Sequence, residues 1–159
     1  MSLRPAKPAD FGFIRRLTTD PANAPFIGDD DESQLARYLK DKAARVLIWG
    51  DEAGFAIFRE IGDASGRVEL FRLALAQTSG GGGADFMAAL LRFAFDDLGA
   101  QRVWLDASGE NLRAQRVYER AGFALEGRLR AHWYRPSLGR SVDLLLFGML
   151  RDEWSGKDT

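Results

Sequence analysis

Apolar positions along the chain change period several times, and each change marks an expected element. Phe11, Ile14 and Leu17 fall three residues apart within residues 9–19, which predicts a first helix. Leu35, Tyr38 and Leu39 predict a second, ending near Lys42. Residues 20–31 between them are rich in Pro, Asn, Gly and Asp, so a loop is expected. Leu3–Pro5 reads as a short edge strand, and Arg45–Trp49 and Gly54–Glu60 as two strands split by a turn at Gly50–Glu52. Gly62–Gly66 turns the chain into a long apolar strand, Val68–Leu75. Met87, Leu90, Leu91, Ala94, Phe95 and Leu98 form the stripe of a third helix that begins at Ala84 and stops at Gly99. Val103–Leu105 reads as a buried strand, Asn111–Ala121 as a fourth helix closed by Gly122, and Phe123–Leu129 and Val142–Met149 as the last strands. The tail from Arg151 is polar and expected to fray. Helices, an antiparallel meander, a strand–helix–strand–helix unit and two strands in that order imply an α/β chain with a mixed sheet and helices on both faces.

At 159 residues the chain suffices for one domain with a real core. A net charge of -1 gives no basis for broad attraction to nucleic acid or an anionic membrane, so neither partner is expected. There is no cysteine, which excludes disulfides, thiolate nucleophiles and cysteine metal ligands and makes a reduced cytoplasmic setting the default. The single histidine, His132, removes a histidine-rich metal site, so no metal is expected. No apolar run approaches the roughly twenty residues of a membrane span, and the N-terminal residues lack a signal-peptide apolar block.

Four glycines, Gly80–Gly83, stand between the long apolar strand and the third helix. Bare peptide N–H groups at a helix N-terminus suit a phosphate, although alone such a run is equally a flexible turn. No Lys-Ser or Lys-Thr follows, which argues against an NTPase loop. A dinucleotide fingerprint fits in part: Gly81-x-Gly83 is present, Phe86 stands where Gly or Ala is needed, and Asp106 has the spacing of a ribose contact. Asn111 and Tyr118, seven apart, share a face of the fourth helix. Taken singly, Asn111 reads as a helix N-cap, Tyr118 as a core tyrosine with its hydroxyl satisfied, and Arg113, Arg116 and Arg120 as a solvated stripe.

Together these segments resemble the GNAT acetyltransferase superfamily. Its glycine motif, a Gln or Arg followed after two residues by Gly-x-Gly or Gly-x-Ala, is matched by Gln77, Gly80 and Gly82. A frame one residue later, Thr78 with Gly81 and Gly83, fits the helix register better. Its second motif is matched by Asn111, Tyr118, Gly122 and Phe123. Glu126-Gly-Arg-Leu-Arg130 with Asp143 is similar to the branch that includes ribosomal-protein and polyamine N-acetyltransferases. The match is strong over residues 68–130 and weaker over most of the remainder. Either motif alone is unspecific; both in order are specific.

The resemblance implies a central, mostly antiparallel sheet of six or seven strands with helices on both faces, one domain over residues 1–154, and a polar tail at 155–159. It implies acetyl transfer from acetyl-CoA, as co-substrate, to a primary amine of a small molecule or peptide; a homodimer is a family expectation. Backbone groups of Leu73, Ala74 and Leu75 would pair with the pantetheine arm. Thr78, Ser79, Gly80, Gly81, Gly82, Gly83 and Ala84 would hold the pyrophosphate, Asn111 would fix the cofactor or a water, and Tyr118 would protonate the leaving thiolate. The family's loop usually carries a Lys or Arg, and residues 78–84 have none. Backbone N–H groups alone, or Arg113 or Arg116, would then meet the phosphates. A base is needed because amines are protonated near pH 7. Glu69, in an apolar strand where desolvation raises its pKa, is one candidate, with a salt bridge to Arg67 or Arg72 as the other reading. His132 is the second; with Trp133, Tyr134 and the loop 20–31 it would line the acceptor site. Two alternatives stay open on sequence: a non-catalytic acyl-CoA-binding module on the same fold, and a dinucleotide-binding domain.

Overall fold

The computed structural model describes residues 1–77 and 82–158. Seven strands run in chain order as β1 (Leu3–Pro5), β2 (Arg45–Trp49), β3 (Gly54–Arg59), β4 (Arg67–Leu75), β5 (Arg102–Ser108), β6 (Ala124–Arg135) and β7 (Arg140–Leu150). They form one sheet in the order β1-β2-β3-β4-β5-β7-β6, antiparallel at every junction except β4–β5. The helices are α1 (Phe11–Thr19), α2 (Glu32–Lys40), α3 (Gly82–Arg92) and α4 (Leu112–Ala121). No helix among the described residues is long and apolar enough to cross a membrane.

Alternation along β2 and β3 sends side chains to both faces, and both faces are covered. Phe11, Ile14 and Leu17 of α1 with Leu35 and Tyr38 of α2 bury Val46, Ile48, Phe55 and Ile57. On the opposite face α3 and α4 pack Phe86, Leu90 and Tyr118 among Leu47, Phe58, Leu70 and Leu105. Burial of each such side chain contributes about 1.5–3 kcal/mol.

One irregularity decides where a ligand fits. β4 and β5 pair only from Arg67–Arg102 to Glu69–Trp104. Beyond that point β4 stays with β3, β5 stays with β7, and the two part. On β4, Ile57 faces Arg72 and Phe58 faces Leu70, so Phe71 is an extra residue without a register partner on β3. A bulge of this kind bends the strand and increases its twist, which turns β4 away from β5.

Several boundaries differ from the sequence expectation. α3 begins at Gly82 and ends at Arg92, and the chain continues as one π turn, Phe93–Asp97, in which the Leu98 N–H bonds the Phe93 carbonyl at 2.9 Å. β5 extends to Ser108. β6 runs twelve residues to Arg135, so His132, Trp133 and Tyr134 lie on a strand and not in a loop. The tail does not fray at Arg151. Trp154 is buried and stacks on Phe95 at 5.1 Å between centroids, and the Arg151 N–H bonds the Gln101 carbonyl at 2.9 Å.

Candidate active site

Where β4 and β5 part, a cleft of about 780 Å³ opens through the sheet. Leu73–Leu75 of β4 form one wall, and Asp106 and Ala107 of β5 the other. The first turns of α3 and α4, His132 and Trp133 of β6, and Ala22, Asn23, Phe26 and Ile27 of the loop after α1 complete its lining.

The β4 wall offers backbone groups. The Ala76 N–H bonds the Ala53 carbonyl at 2.9 Å, toward β3. Successive residues of a strand point their peptide groups to opposite sides, so those of Leu75 and Leu73 point into the gap. No strand among the described residues covers that edge, and a buried peptide group needs a partner. An extended ligand arm carrying amide groups would supply one.

Tyr118 projects from α4 into the seam. Asn111 starts this helix: its Oδ1 accepts from the Ala114 N–H at 3.2 Å. Gly122 ends it in the left-handed region, φ 104°, which lets the Phe123 N–H reach the Tyr118 carbonyl at 3.0 Å. The Tyr118 ring is buried, edge-on to Phe123 and Phe147 at 6.0 and 5.6 Å. Its hydroxyl has no hydrogen-bond partner among the described residues, yet it is not a sealed, orphaned atom. It opens on the cleft. Burial, and after it the charge of Asp106, push the phenol above its ordinary pKa, so it stays protonated at neutral pH.

Three carboxylates stand near the seam, in different states. Glu69 is buried and accepts from Nε and Nη2 of Arg59 at 2.9 and 2.7 Å, at the end where β4 and β5 still pair. Its ion-pair partner is therefore the cross-strand Arg59, not Arg67 or Arg72. Burial raises its pKa against the opposing pull of Arg59. Glu110 accepts from Arg140, which holds its pKa low. Asp106 is half-buried and carries neither a hydrogen bond nor an ion pair among the described residues. Burial raises its pKa, opposed by the charges of Arg72, Arg59 and His132.

Two arginines tie the loop after α1 down. Arg72 donates from Nε to Asp30 at 2.8 Å, and Arg135 donates from Nη2 to the carbonyls of Ala24 and Ile27 at 2.6 and 2.9 Å. The Phe71 ring lies between the guanidiniums of Arg59 and Arg72, 3.4 and 4.0 Å from its centroid. Gly28 gives Arg72 its space: a Cβ there would sit 2.8 Å from the guanidinium.

The structure thus brings Leu73, Ala74, Leu75, Gly83, Asn111, Arg113, Tyr118, His132 and Trp133 to one cleft. Gly82 instead faces a second groove, with Trp49, Asp85 and Arg92, and Ala84 lines neither. Tyr134 is exposed and points elsewhere, and Glu69 lies outside the lining. Thr78, Ser79, Gly80 and Gly81 lie outside the described residues. The sequence reading gave Asp106 only a ribose contact and missed Arg72. A polar position between two apolar strand residues, Leu105 and Ala107, was the available signal for Asp106.

The chain is similar to known proteins in sequence and in fold. The family profile described as "Acetyltransferase (GNAT) domain" matches residues 1–124. A relative named an uncharacterized N-acetyltransferase, from Mycobacterium tuberculosis, is 36% identical over 132 residues, covering 73% of this chain and 82% of its own. Among solved structures, a mutant of the spermidine N-acetyltransferase SpeG from Vibrio cholerae superposes with a TM-score of 0.84 at 20% identity, covering 100% of both chains. The spermidine N-acetyltransferase from Vibrio cholerae in complex with CoA and spermine superposes at 0.82 with 21% identity over 96% of each chain. These solved structures share the fold.

Proposed function

The chain belongs to the GNAT acetyltransferase family and is an acetyl-CoA-dependent N-acetyltransferase, and on that premise we propose that the β4–β5 cleft acetylates a primary amine by direct attack, with Tyr118 as general acid. The carrying observation is the Tyr118 hydroxyl: a protonated phenol on a buried ring, without a partner among the described residues, opening on the gap between the strands. A thiolate leaving group needs a proton donor at that place. Acetyl-CoA supplies a thioester carbon open to attack by an amine. The inward peptide groups of Leu73 and Leu75 hold the pantetheine arm in this reading, and one N–H there also faces the developing oxyanion. The loop 78–84 takes the pyrophosphate at the start of α3, and Arg113 is the cation that α4 contributes to the cleft. Asn111 acts through α4: with its Oδ1 committed to the cap, it sets the helix that aims Tyr118.

The acceptor is read as a cationic primary amine. The names of the superposing acetyltransferases, spermidine enzymes, support that class.

Acetyl-CoA near a hundred times its dissociation constant is expected to stabilise the protein by ~2.7 kcal/mol, or roughly 5–10 °C in melting temperature. NAD at the same concentration is expected to do nothing. Release of free thiol from acetyl-CoA is expected only when an amine is added. A shift with NAD, or no thiol release with any of a panel of primary amines, would contradict the proposal.

A further inference from the structure

We propose that Asp106 receives the acceptor's ammonium group and removes its proton, so that the amine attacks as a neutral nucleophile; this rests on the acetyl-transfer reading above. The geometry separates Asp106 from the other acids. Glu69 is engaged by Arg59 and lies outside the cleft, and Glu110 is engaged by Arg140. Asp106 lines the cleft with no hydrogen bond or ion pair among the described residues. It sits on β5 just past Trp104, the last residue paired with β4, and so faces the opening.

Its surroundings leave that charge available. From β4 it faces Arg72 and Glu69, from β3 Arg59, from β6 His132, and from α4 Tyr118. Arg72 is committed to Asp30 and Arg59 to Glu69. Neither cation neutralises Asp106 by contact. A half-buried carboxylate without a partner weakens the fold, because burial removes solvation that nothing replaces. A bound ammonium would replace it. In a water-poor cleft a carboxylate–ammonium pair is also less favoured over the neutral acid–amine pair than it is in water, which eases the proton transfer.

The step balances. One proton passes from the R–NH3⁺ nitrogen to the Asp106 carboxylate. The freed lone pair forms the C–N bond at the thioester carbon, and the C–S bond breaks. The sulfur takes the Tyr118 proton, the phenolate takes the second nitrogen proton, and the amide keeps the third hydrogen. Asp106 then releases its proton to water, so the products are amide, thiol and one H⁺.

Asp106→Asn tests this with spermidine and a free-N-terminal dipeptide amide as acceptor probes. The variant is expected to lower kcat/KM for the acceptor by about 10²–10³-fold and to leave the acetyl-CoA thermal shift intact. The wild-type acid limb of the pH profile is expected to disappear, with activity instead climbing along the acceptor's own titration. A second readout needs no turnover. An aspartate whose pKa is raised on folding contributes stability below its unfolded value, about 3.9, and loses it as pH rises through the folded value. Asp106→Asn therefore should melt at or above the wild-type temperature at pH 7, with its advantage growing from acid to neutral pH. Unchanged kcat/KM and pH profile, or a melt well below wild type, would overturn the assignment and leave the acetyl-transfer reading standing. Failure of the wild type to acetylate either probe or any other primary amine would instead remove that reading, and this one with it.

Discussion

Tyr118→Phe is expected to reduce kcat by about 10²–10³-fold, equivalent to roughly 3–4 kcal/mol of lost transition-state stabilisation, while leaving the affinity for acetyl-CoA within a few-fold of wild type. The substitution removes one oxygen and keeps the ring, so the edge contacts with Phe123 and Phe147 persist. Because the hydroxyl has no protein partner among the described residues, its loss leaves no orphaned group behind. The melting temperature should accordingly hold or rise. That combination separates a chemical role from a structural one. Equal loss of affinity and turnover would make Tyr118 a cofactor-positioning residue, and unchanged turnover would remove it from the chemistry. Initial rates with saturating acetyl-CoA, set beside calorimetric titration of coenzyme A, decide between them.

Trp154→Ala is expected to cost about 3–5 kcal/mol, the usual loss for a large buried aromatic reduced to alanine. Trp154 is only 4% exposed and stacks on Phe95 under the π turn that ends the α3 segment, with the Arg92 guanidinium 5.9 Å from its ring. The Arg151 side chain reaches the Ala100 carbonyl at 3.1 Å and locks the same corner. Against a typical domain stability of about 5–15 kcal/mol this is a large fraction. It corresponds to a fall of about 6–20 °C in melting temperature. The cleft is built by other elements, so residual activity at low temperature should persist. A melt within a degree of wild type would mean that the C-terminal segment is not docked.

The same residue marks the limit of what could be read from the chain. Trp154 is one apolar side chain in a polar tail, and a single residue carries no periodicity. Where several apolar positions repeat, the elements were legible. The stripes of α1, α2 and α4 and the β4 run all reappear within a few residues of their expected places. The second half of β6, beyond Leu129, escaped because its residues are mostly exposed on both faces, which erases the alternation that announces a half-buried strand. Only pairing with β7 defines it. Asn111 and Tyr118 of the Asn–Tyr motif both line the cleft, whereas of the described glycines in the run Gly83 lines it and Gly82 faces the second groove. The state of the acids was not legible. Arg59 rather than Arg67 or Arg72 reaches Glu69 because the bulge at Phe71 sets the β3–β4 register, placing Arg59 opposite Glu69. No local pattern encodes that register. The availability of Asp106 follows in the same way, from cations held by other partners.

The stability and function arguments meet at the seam. A bulge turns β4 from β5, which leaves peptide groups uncovered and gives a buried phenol an opening. Each feature is unfavourable for an isolated fold and, in the proposed reading, useful for holding an extended thioester, the trade expected of an active site.

A structure of the protein with coenzyme A bound tests the central claim most directly. The account predicts the pantetheine arm lying between β4 and β5, bonded to the peptide groups of Leu73 and Leu75, with the sulfur within hydrogen-bonding reach of the Tyr118 hydroxyl. An arm running elsewhere, in particular through the groove lined by Trp49, Gly82 and Asp85, or a sulfur beyond that hydroxyl's reach, would contradict it.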